Sequence, residues 1–324
     1  MTMRAGIAGL GRWGQVLINS VRDKSDKISI PAACTGRKAK AQGFCDEAGI
    51  DLRDSLDDLL SDDSLDGIIL ATPHGQHAEQ IIACAAAGKH VFVEKPFTMT
   101  KESAAAAVQA CEDAGVVCAL GHNRRFLPAM ARLRDVVASG EIGVPLHAEA
   151  NISLPGRSYD DGHWRTDTSQ SPAGAMTGLG VHVTDALISC LGHVTEVNAT
   201  AERRVHGDLT SDVTFMTLRF ESGATGTFST LFQTAPVWFI RIMGNKGWAT
   251  MRGYDRIAIR KIGDDNEISE RFERPDIERA ELEAFADAAT GGAPYILPVA
   301  DAINGTALLE ALVRSAETGT PVSF

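Results

Sequence analysis

The sequence predicts an α/β protein with a doubly wound parallel sheet in its first part and an α+β domain with a largely antiparallel open sheet in its second part. Three observations lead to this prediction. Strand and helix patterns alternate over residues 1–121, and a glycine-rich motif stands between the first strand and the first helix. From residue 194 onwards, strand patterns follow one another with few helix signals between them. We therefore place one domain at residues 1–121 and a second at residues 122–324.

The first domain is predicted from apolar strands that lie between helices. The run Ile68-Ile69-Leu70 is apolar on both faces, as expected of a parallel sheet that is covered by helices on each side. Gly88 and Gly115 follow two of the helical patterns as C-cap residues. The predicted strands are 4–8, 28–35, 65–71, 89–93 and 116–120, and the predicted helices are 13–21, 38–48, 76–87 and 100–114.

The second domain is predicted because the regular alternation of strand and helix patterns ends after Gly121. Helical patterns at 129–138 and 181–191 flank a strand at 146–153 and a polar loop at 155–172. Six strand patterns then follow, joined in places by short turns of the kind that hairpins require. They cover 194–204, 212–220, 225–232, 238–243, 248–251 and 257–261, and two closing helices cover 276–289 and 299–317.

Composition excludes several classes of partner. The 324 residues carry a formal net charge of −11, which disfavours nucleic acid and anionic membranes. No stretch approaches the roughly 20 apolar residues of a membrane span, and the apolar run at the start is too short for a signal peptide. The six cysteines show no C-x-x-C spacing, so we expect reduced thiols in a cytoplasmic protein.

The motif Gly9-Leu10-Gly11-Arg12-Trp13-Gly14 directly follows the first strand and opens the first helix. Gly9 permits a tight turn, Gly11 lets the backbone approach a pyrophosphate, and Gly14 lets helix and strand pack closely. The N–H groups at the start of the helix would face the anion. This context favours a dinucleotide-binding loop over a glycine-rich turn that binds nothing.

The end of the second strand indicates which dinucleotide is preferred. An acidic residue commonly stands there to bond the ribose 2′-hydroxyl of NAD. This sequence has instead Thr35, Arg37 and Lys38, a hydroxyl and two cations that suit a 2′-phosphate. We therefore expect NADP, with NAD possible. Alternatively, Arg37 and Lys38 are solvated residues of the next helix.

Later motifs make the chain resemble the Gfo/Idh/MocA family of NAD(P)-dependent oxidoreductases, whose members act on sugars and cyclitols. The resemblance covers essentially the whole chain, and the Glu94-Lys95-Pro96 signature after an apolar strand is its most specific element. The motifs are Ala71-Thr72-Pro73-His74-Gly75-Gln76-His77, Glu94-Lys95-Pro96, Gly121-His122-Asn123-Arg124-Arg125-Phe126, Trp164-Arg165 and Gly180-Val181-His182-Val183-Thr184-Asp185.

The resemblance implies roles for these residues. Lys95 would bond the substrate oxygen near the nicotinamide and stabilise developing alkoxide charge, and the Lys-Pro bond is often cis in the family. Asn123 and Arg124 would lie near the nicotinamide carboxamide or form a polar bridge between domains. No metal site is expected, although His74 and His77 have the spacing of a ligand pair. The implied dinucleotide site comprises Gly9, Gly11, Arg12, Trp13, Gly14, Thr35, Arg37, Lys38, Ala71, Thr72, Pro73, His77, Glu94, Lys95 and Asn123, and the implied substrate site Arg124, Trp164, Arg165 and His182.

One position departs from the family pattern. His182 falls on the family's catalytic histidine, which takes the hydroxyl proton, and Asp185 on an acid that we interpret as structural. The family's catalytic aspartate, four residues before the histidine, is Gly178 here. The substrate could supply its own carboxylate, an acid such as Asp160, Asp161 or Asp167 could replace it, or the chemistry could differ from polyol oxidation.

The sequence thus predicts an NADP-preferring oxidoreductase that transfers hydride between the nicotinamide and a hydroxyl or carbonyl of a small sugar, sugar acid or cyclitol. We expect Lys95 and His182 to be catalytic. Two alternatives stay open: a dinucleotide-binding sensor without turnover, and a lyase or epimerase that uses tightly bound cofactor transiently. By analogy with the family we expect a homo-oligomer, a dimer or tetramer.

Overall fold

The computed structural model describes residues 2–156, 167, 169–205 and 211–324. The chain divides into two compact units. The first consists of Met1–Thr98, Glu102–Asn123 and Asp276–Val299, and the second of Met99–Lys101, Arg124–Pro275 and Ala300–Phe324. The predicted boundary after residue 121 lies within two residues of Asn123, but the first unit also includes Asp276–Val299, which the sequence division had assigned to the second domain.

The first unit is built on a six-stranded sheet in which every pair of neighbouring strands is parallel. Its strands are β1 (Met3–Ala8), β2 (Ile28–Cys34), β3 (Asp51–Arg53), β4 (Gly67–Leu70), β5 (His90–Glu94) and β6 (Cys118–Gly121). The order β3-β2-β1-β4-β5-β6 is that of a Rossmann fold and confirms the predicted doubly wound class.

The helices of the first unit connect or cover these strands. They are α1 (Arg12–Val21), α2 (Lys38–Ala48), α3 (Leu56–Leu60), α4 (His77–Ala86), α5 (Lys101–Ala114) and α8 (Ile277–Ala289). The first residue of α5, Lys101, is assigned to the second unit and the rest of the helix to the first. Helix α8 packs against α1, β2 and β5. Its residues Leu282, Phe285 and Ala286 belong to the same buried apolar cluster as Ile7 and Phe92 of the sheet. The late segment therefore completes the core of the first unit.

The second unit is built on a nine-stranded open sheet. Its order is β14-β13-β12-β11-β7-β10-β9-β8-β15. Only the pairing of β10 with β7 is parallel within this described sheet, so it is largely antiparallel, as predicted. The strands are β7 (Pro145–Ser153), β8 (Val194–Glu202), β9 (Val213–Phe220), β10 (Thr225–Leu231), β11 (Val237–Gly244), β12 (Gly247–Arg252), β13 (Arg256–Lys261), β14 (Ile268–Arg271) and β15 (Val322–Ser323).

The described residues of this unit form three α-helices: α6 (Pro128–Ala138), α7 (Val181–Leu191) and α9 (Val299–Thr318). Burial alternates along β9, where Thr214, Met216, Leu218 and Phe220 are buried and the residues between them are not. Helix α6 packs against α7, β12 and β13, and α7 packs against β7. The sheet therefore presents one face to helices, as alternating strands require.

Candidate functional site

The loop after β1 has the geometry that its glycines predict. Gly9 has φ +102, and a Cβ there would lie 2.3 Å from the carbonyl oxygen of Ala71. A Cβ on Gly14 would lie 2.0 Å from the carbonyl oxygen of Gly9. A Cβ on Gly11, in contrast, would meet no described atom within 4 Å. Two of the glycines are therefore required by close backbone contacts, and the third leaves space beside the loop.

Helix α1 begins next to that space. Its N-cap is Gly11, which supplies no side chain to bond the first N–H groups, and its first turn contains no acidic residue. The guanidinium carbon of Arg12, an exposed residue, lies 5.9 Å from the centroid of the Trp13 ring. An uncapped helix start beside an open space suits a pyrophosphate, so the residues present fit a dinucleotide.

The residues after β2 differ in how they are engaged. Arg37 is exposed, and its backbone N–H donates to Oγ1 of Thr35 over 3.5 Å. Lys38 forms an ion pair with the exposed carboxylate of Asp54. Among the described residues, Arg37 forms no ion pair with an acid. Lys38 would have to break its ion pair with Asp54 to bind a phosphate.

The loop after β4 is tied to its neighbours by His77. Nδ1 of His77 lies 2.9 Å from the carbonyl oxygen of Pro96, and Nε2 lies 3.1 Å from that of Thr72. The Ala71 N–H donates to the Ala8 carbonyl. Burial lowers the pKa of His77, and the backbone carbonyls of Pro96 and Thr72 oppose this. This histidine, the first residue of α4, therefore connects the segments that follow β4 and β5 through its two ring nitrogens.

The end of β5 places Glu94 inward. Glu94 is buried, Oε2 accepts the Lys95 backbone N–H over 3.3 Å, and a Cβ on Gly121 would lie 3.0 Å from Oε1. Burial raises the pKa of Glu94 to about 7, while the charge of Lys95 and the indole of Trp13 lower it. The Trp13 Nε1–H nevertheless falls outside hydrogen-bond geometry with every described group. Lys95 itself is only partly buried, and the Lys95–Pro96 bond is cis.

Asn123 lies at the end of β6 and contacts helix α8. Its Nδ2 donates to Oε1 of Glu278 over 3.1 Å. One turn further along the helix, Glu281 is fully buried. No sequence motif identified Glu281, although a signal was present: it occupies an apolar stripe with Ile277 and Phe285, at i, i+4 spacing. A carboxylate in such a stripe is rarely buried without a purpose.

The predicted residues of the first unit therefore meet at one edge of its sheet. The glycine loop follows β1, the Ala71–Pro73 segment follows β4, Glu94 and Lys95 end β5, and Asn123 follows β6. Carboxyl ends of neighbouring parallel strands form the usual ligand crevice of this architecture. The contacts from Gly9 to Ala71 and from His77 to Pro96 join these segments directly.

In the second unit, His182 lies in the first turn of α7 and is 9% exposed. A π-helical turn, Met176–Gly180, immediately precedes it. Such turns are frequent at functional sites because they redirect side chains. Gly178 lies within the turn, and a Cβ there would meet no atom of the described residues within 4 Å.

Asp185, which the sequence interprets as a structural acid, is bonded to Arg125. Both of its carboxylate oxygens accept from Nε of Arg125, and Oδ1 also accepts from Nη2 over 2.7 Å. Nη2 donates to Asp301 as well, over 2.8 Å, and Asp301 also contacts Nε2 of His193. Asp185 and Arg125 are both buried, so this acid is engaged in a buried ion pair.

Arg124 packs against aromatic rings of the second unit. Its guanidinium carbon lies 4.6 Å from the ring centroid of Trp238 and 5.7 Å from that of Tyr254. Nη2 donates weakly to the Tyr254 hydroxyl over 3.4 Å. These contacts fix its position within this unit.

Several predicted residues lie outside the described part of the chain. They are Trp164 and Arg165 of the implied substrate site and the acids Asp160 and Asp161. Asp167 is described: it is exposed and accepts the Ser169 backbone N–H, as a turn-capping residue does. Across residues 2–156, 167, 169–205 and 211–324, no cluster of three or more His, Cys, Asp or Glu side chains could hold a metal ion.

Comparisons with known proteins agree with this geometry. Residues 3–122 match an oxidoreductase family with an NAD-binding Rossmann fold, and residues 130–250 match the GFO/IDH/MocA C-terminal domain. Together, these two matches identify a dinucleotide-dependent oxidoreductase. The chain belongs to the Gfo/Idh/MocA family.

Individual relatives cover nearly the whole chain. D-xylose 1-dehydrogenase (NADP(+)) 2 of Haloferax volcanii is 30% identical, over 98% of each chain. The scyllo-inositol 2-dehydrogenase (NAD(+)) of Bacillus subtilis is 28% identical, over 99% of this chain and 96% of the relative. The crystal structure of a putative NADPH-dependent oxidoreductase from Desulfitobacterium hafniense has a TM-score of 0.92 at 25% identity, covering 100% of this chain and 98% of the other.

Proposed function

We propose that the protein is an NADP-preferring dehydrogenase or reductase that acts on a hydroxyl or carbonyl of a small polyhydroxylated compound. The observation that supports this best is the meeting of the glycine loop and Lys95 at one edge of the Rossmann sheet. Relatives named for D-xylose and scyllo-inositol support a sugar, sugar acid or cyclitol as substrate.

The dinucleotide would be held by the loop after β1 and by residues at the neighbouring strand ends. When bound, it supplies the nicotinamide that accepts or donates hydride. The uncapped start of α1 would bind the pyrophosphate, and exposed Arg37 would bind a ribose 2′-phosphate. The xylose relative uses NADP and the scyllo-inositol relative NAD, so the preference rests on Arg37 and on the absence of an acid between Cys34 and Lys38.

Lys95 would act on the reacting oxygen. Its ammonium stabilises negative charge that develops on an alkoxide, and Glu94 and the His77 contacts fix the backbone on either side of it. His182 would take the hydroxyl proton during oxidation and return it during reduction, because an imidazole exchanges protons readily near neutral pH. We place Arg124, Trp164 and Arg165 with it in the substrate site.

At the position of the family's catalytic aspartate, four residues before His182, this chain has Gly178. We propose that the substrate's own carboxylate or another acceptor occupies that space, which favours a sugar acid. The open surroundings of Gly178 among the described residues are consistent with this proposal.

The test follows absorbance at 340 nm with NADP and then NAD, against pooled aldoses, cyclitols and sugar acids. Reduction that is abolished by Lys95→Met, with cofactor affinity retained, is expected. Lys40→Met, an exposed substitution on α2, is the control that should leave the rate unchanged. Absence of turnover with every pool, despite measured NADP binding, would contradict the dehydrogenase assignment.

A second candidate is an enzyme that oxidises its substrate transiently and regenerates the bound cofactor. Gly178 favours it, as does a 29% identical relative named 2,7-anhydro-N-acetylneuraminate hydratase, which covers 75% of this chain. In that case the purified protein would carry cofactor and convert substrate without net change at 340 nm. Product analysis by NMR distinguishes this outcome from a dehydrogenase and from a sensor without turnover.

We also propose a cytoplasmic homo-oligomer, a dimer or tetramer. The six cysteines are free thiols, as a reducing compartment predicts. Phe215 of β9 and Val237 of β11 are 44% and 40% exposed, which favours association through this sheet. Light scattering on the purified chain tests the subunit number.

In the described chain, helices long and apolar enough to cross a membrane are absent.

A further inference from the structure

Glu281 is the most unusual charged residue of the first unit. It is fully buried on α8, and neither of its carboxylate oxygens has a hydrogen-bond partner among the described residues. Buried polar groups are nearly always bonded, and an isolated buried carboxylate is strongly unfavourable. The group must therefore be neutral, or it must interact with something that the apolar stripe of α8 does not supply.

The register of α8 over the sheet places Glu281 beside Glu94. The rings of Phe285 and Phe92 lie 5.7 Å apart, centroid to centroid. Glu281 precedes Phe285 by four residues, a helical rise of about 6 Å, and Glu94 follows Phe92 by two residues, a strand rise of about 6.6 Å. Asn123, at the end of β6, contacts Glu278 and shows that α8 begins over this edge of the sheet. Glu281 and Glu94 thus occupy the same level.

Among the described residues, one cation acts on the two carboxyl groups. Lys95, at the end of β5, and Glu278, in the first turn of α8, are the titratable groups that act on both Glu94 and Glu281 among the residues described. Of the other elements against α8, α1 contributes Trp13, and its one charged residue, Arg12, is exposed; β2, with the sequence Ile28–Cys34, has no charged residue.

Two buried carboxylates at one level would repel each other, and one ammonium cannot compensate both. The contacts favour Glu94 as the ionised member. Oε2 of Glu94 accepts the Lys95 backbone N–H and Lys95 is its neighbour in sequence, whereas Glu281 accepts no described hydrogen bond. A donor that bonds a carboxylate favours its charged form.

We propose that Glu94 and Glu281 form a coupled pair of buried carboxyl groups, in which Glu281 remains the neutral acid and Glu94 is the anion that faces Lys95. Glu281 is then a positioning residue: as a polar, uncharged neighbour it permits Glu94 to ionise inside the protein. The consequence for activity rests on the proposed function of Lys95, but the titration of the pair does not.

The pKa directions agree with this assignment. Burial raises the pKa of Glu281 well above its ordinary value, and the charges of Glu94 and Glu278 raise it further. Burial raises the pKa of Glu94 as well, to about 7. Coupled groups lose their protons in steps that belong to the pair, so removing one member must change the titration of the other.

The first measurement is a carbon-13 NMR titration of the apo protein labelled at glutamate Cδ. We expect two signals that titrate above the ordinary glutamate range, assigned with Glu94→Gln and Glu281→Gln. In Glu94→Gln, the midpoint of Glu281 should fall by about one unit or more, because a like charge has been removed. An ordinary midpoint for Glu281, or one that Glu94→Gln leaves unmoved, would overturn the proposal without reference to any substrate.

The second measurement is the pH profile of kcat/KM. Glu281→Gln, a neutral isostere, should retain the acid limb near that of the wild type. Glu281→Leu, which removes the polar neighbour, should shift the limb to higher pH by about one unit, a roughly fivefold loss at pH 7 for a midpoint that starts near 7. Glu283→Gln, on the same helix and not buried, is the matched control.

The two readouts separate the possible failures. Equal losses in Glu281→Gln and Glu281→Leu at every pH, with no shift of the limb, would mean that Glu281 acts only through folding and would overturn the proposal. A normal coupled NMR titration without any turnover would instead contradict the proposed function and leave the carboxyl pair established.

Discussion

At the scale of single residues, the glycines of the loop after β1 differ in what surrounds them. A Cβ on Gly14 would collide with the Gly9 carbonyl, whereas Gly11 faces open space among the described residues. Gly14→Ala should therefore lower the free energy of unfolding, by about 1–3 kcal/mol. Gly11→Ala should keep the melting temperature but weaken NADP binding about tenfold or more, a loss of about 1.4 kcal/mol.

Differential scanning fluorimetry and calorimetric titration check the two effects separately. Each variant is the control for the other, because the same methyl group is added three residues apart. If Gly11→Ala bound NADP as tightly as the wild type, the pyrophosphate would not lie at the start of α1.

Arg37 carries the predicted cofactor preference. It is exposed, while Lys38 is paired with Asp54. Arg37→Ala should weaken NADP binding by about tenfold, since a charge-assisted bond to the 2′-phosphate contributes about 1.5–3 kcal/mol, and should leave NAD binding unchanged. Dissociation constants for both cofactors decide this, with Lys40→Ala as control. Equal weakening for NAD and NADP would show that Arg37 does not distinguish them.

Gly178 offers a gain-of-function test. No described atom would obstruct a side chain there, so Gly178→Asp should fold with a melting temperature close to that of the wild type. The carboxylate would restore the family's partner for His182 and should raise kcat/KM for neutral polyols about tenfold, the scale of about 1.4 kcal/mol of transition-state stabilisation. Gly178→Asn supplies the same shape without charge. An equal gain in both variants would assign the effect to packing.

Sequence motifs identified the residues whose local pattern is distinctive. The glycine loop and the Glu94-Lys95-Pro96 turn depend on short spacings, and the structure places both at the same edge of the sheet. Glu281 was missed because its importance depends on a contact between α8 and β5, which lie nearly two hundred residues apart. The pairing of Asp185 with Arg125 could not be read from the sequence for the same reason.

At the scale of elements, we expect the buried Glu281 of α8 to make the folding stability of the protein depend on pH. Below a pH of about 4.5, the usual glutamate pKa, Glu281 is protonated in both the folded and unfolded states. Above this pH the unfolded chain loses the proton but the folded chain keeps it. The free energy of unfolding therefore falls as pH rises.

Glu281→Gln removes that dependence. The difference in unfolding free energy between the variant and the wild type should therefore grow in the variant's favour from pH 5 to pH 8, by about 1–3 kcal/mol. Urea denaturation at several pH values measures it, and Glu283→Gln should show no such trend. A constant difference across this range would place the Glu281 pKa at its ordinary value.

The elements that sequence patterns did not predict are short and exposed. Strands β3, β14 and β15 have three, four and two residues, too few for an alternation to be recognised, and most of their residues are not buried. Helix α3 has only five residues, although Ser55 and Asp58 form a capping box at its start. The longer strands and helices were predicted to within a few residues because their apolar patterns are recognisable, alternating in strands such as β9 and continuous in buried strands such as β5.

At the scale of the whole molecule, the first unit consists of segments that are distant in the sequence. Residues 1–123 alone would lack Leu282, Phe285 and Ala286, which belong to its core. A fragment of residues 1–123 should therefore fail to fold stably. Joining residues 276–299 to it should restore folding and NADP binding, and a linker of about six glycine and serine residues would reach, since Asn123 bonds Glu278.

Circular dichroism and a proton–nitrogen correlation spectrum check both fragments. The same fusion carrying Leu282→Asp and Phe285→Asp provides a control of equal length. If residues 1–123 folded cooperatively by themselves, α8 would be an accessory to this unit instead of part of its core.

The late position of α8 also matters during synthesis. A ribosome releases the chain from its amino end, so residues 124–275 emerge while the sheet beneath α8 still lacks its cover. The second unit has most of its strands available before the first unit can close. Nascent chains stalled before residue 277 should therefore expose the apolar surface around Phe92, which makes that interval the stage at which a chaperone that recognises apolar segments would bind.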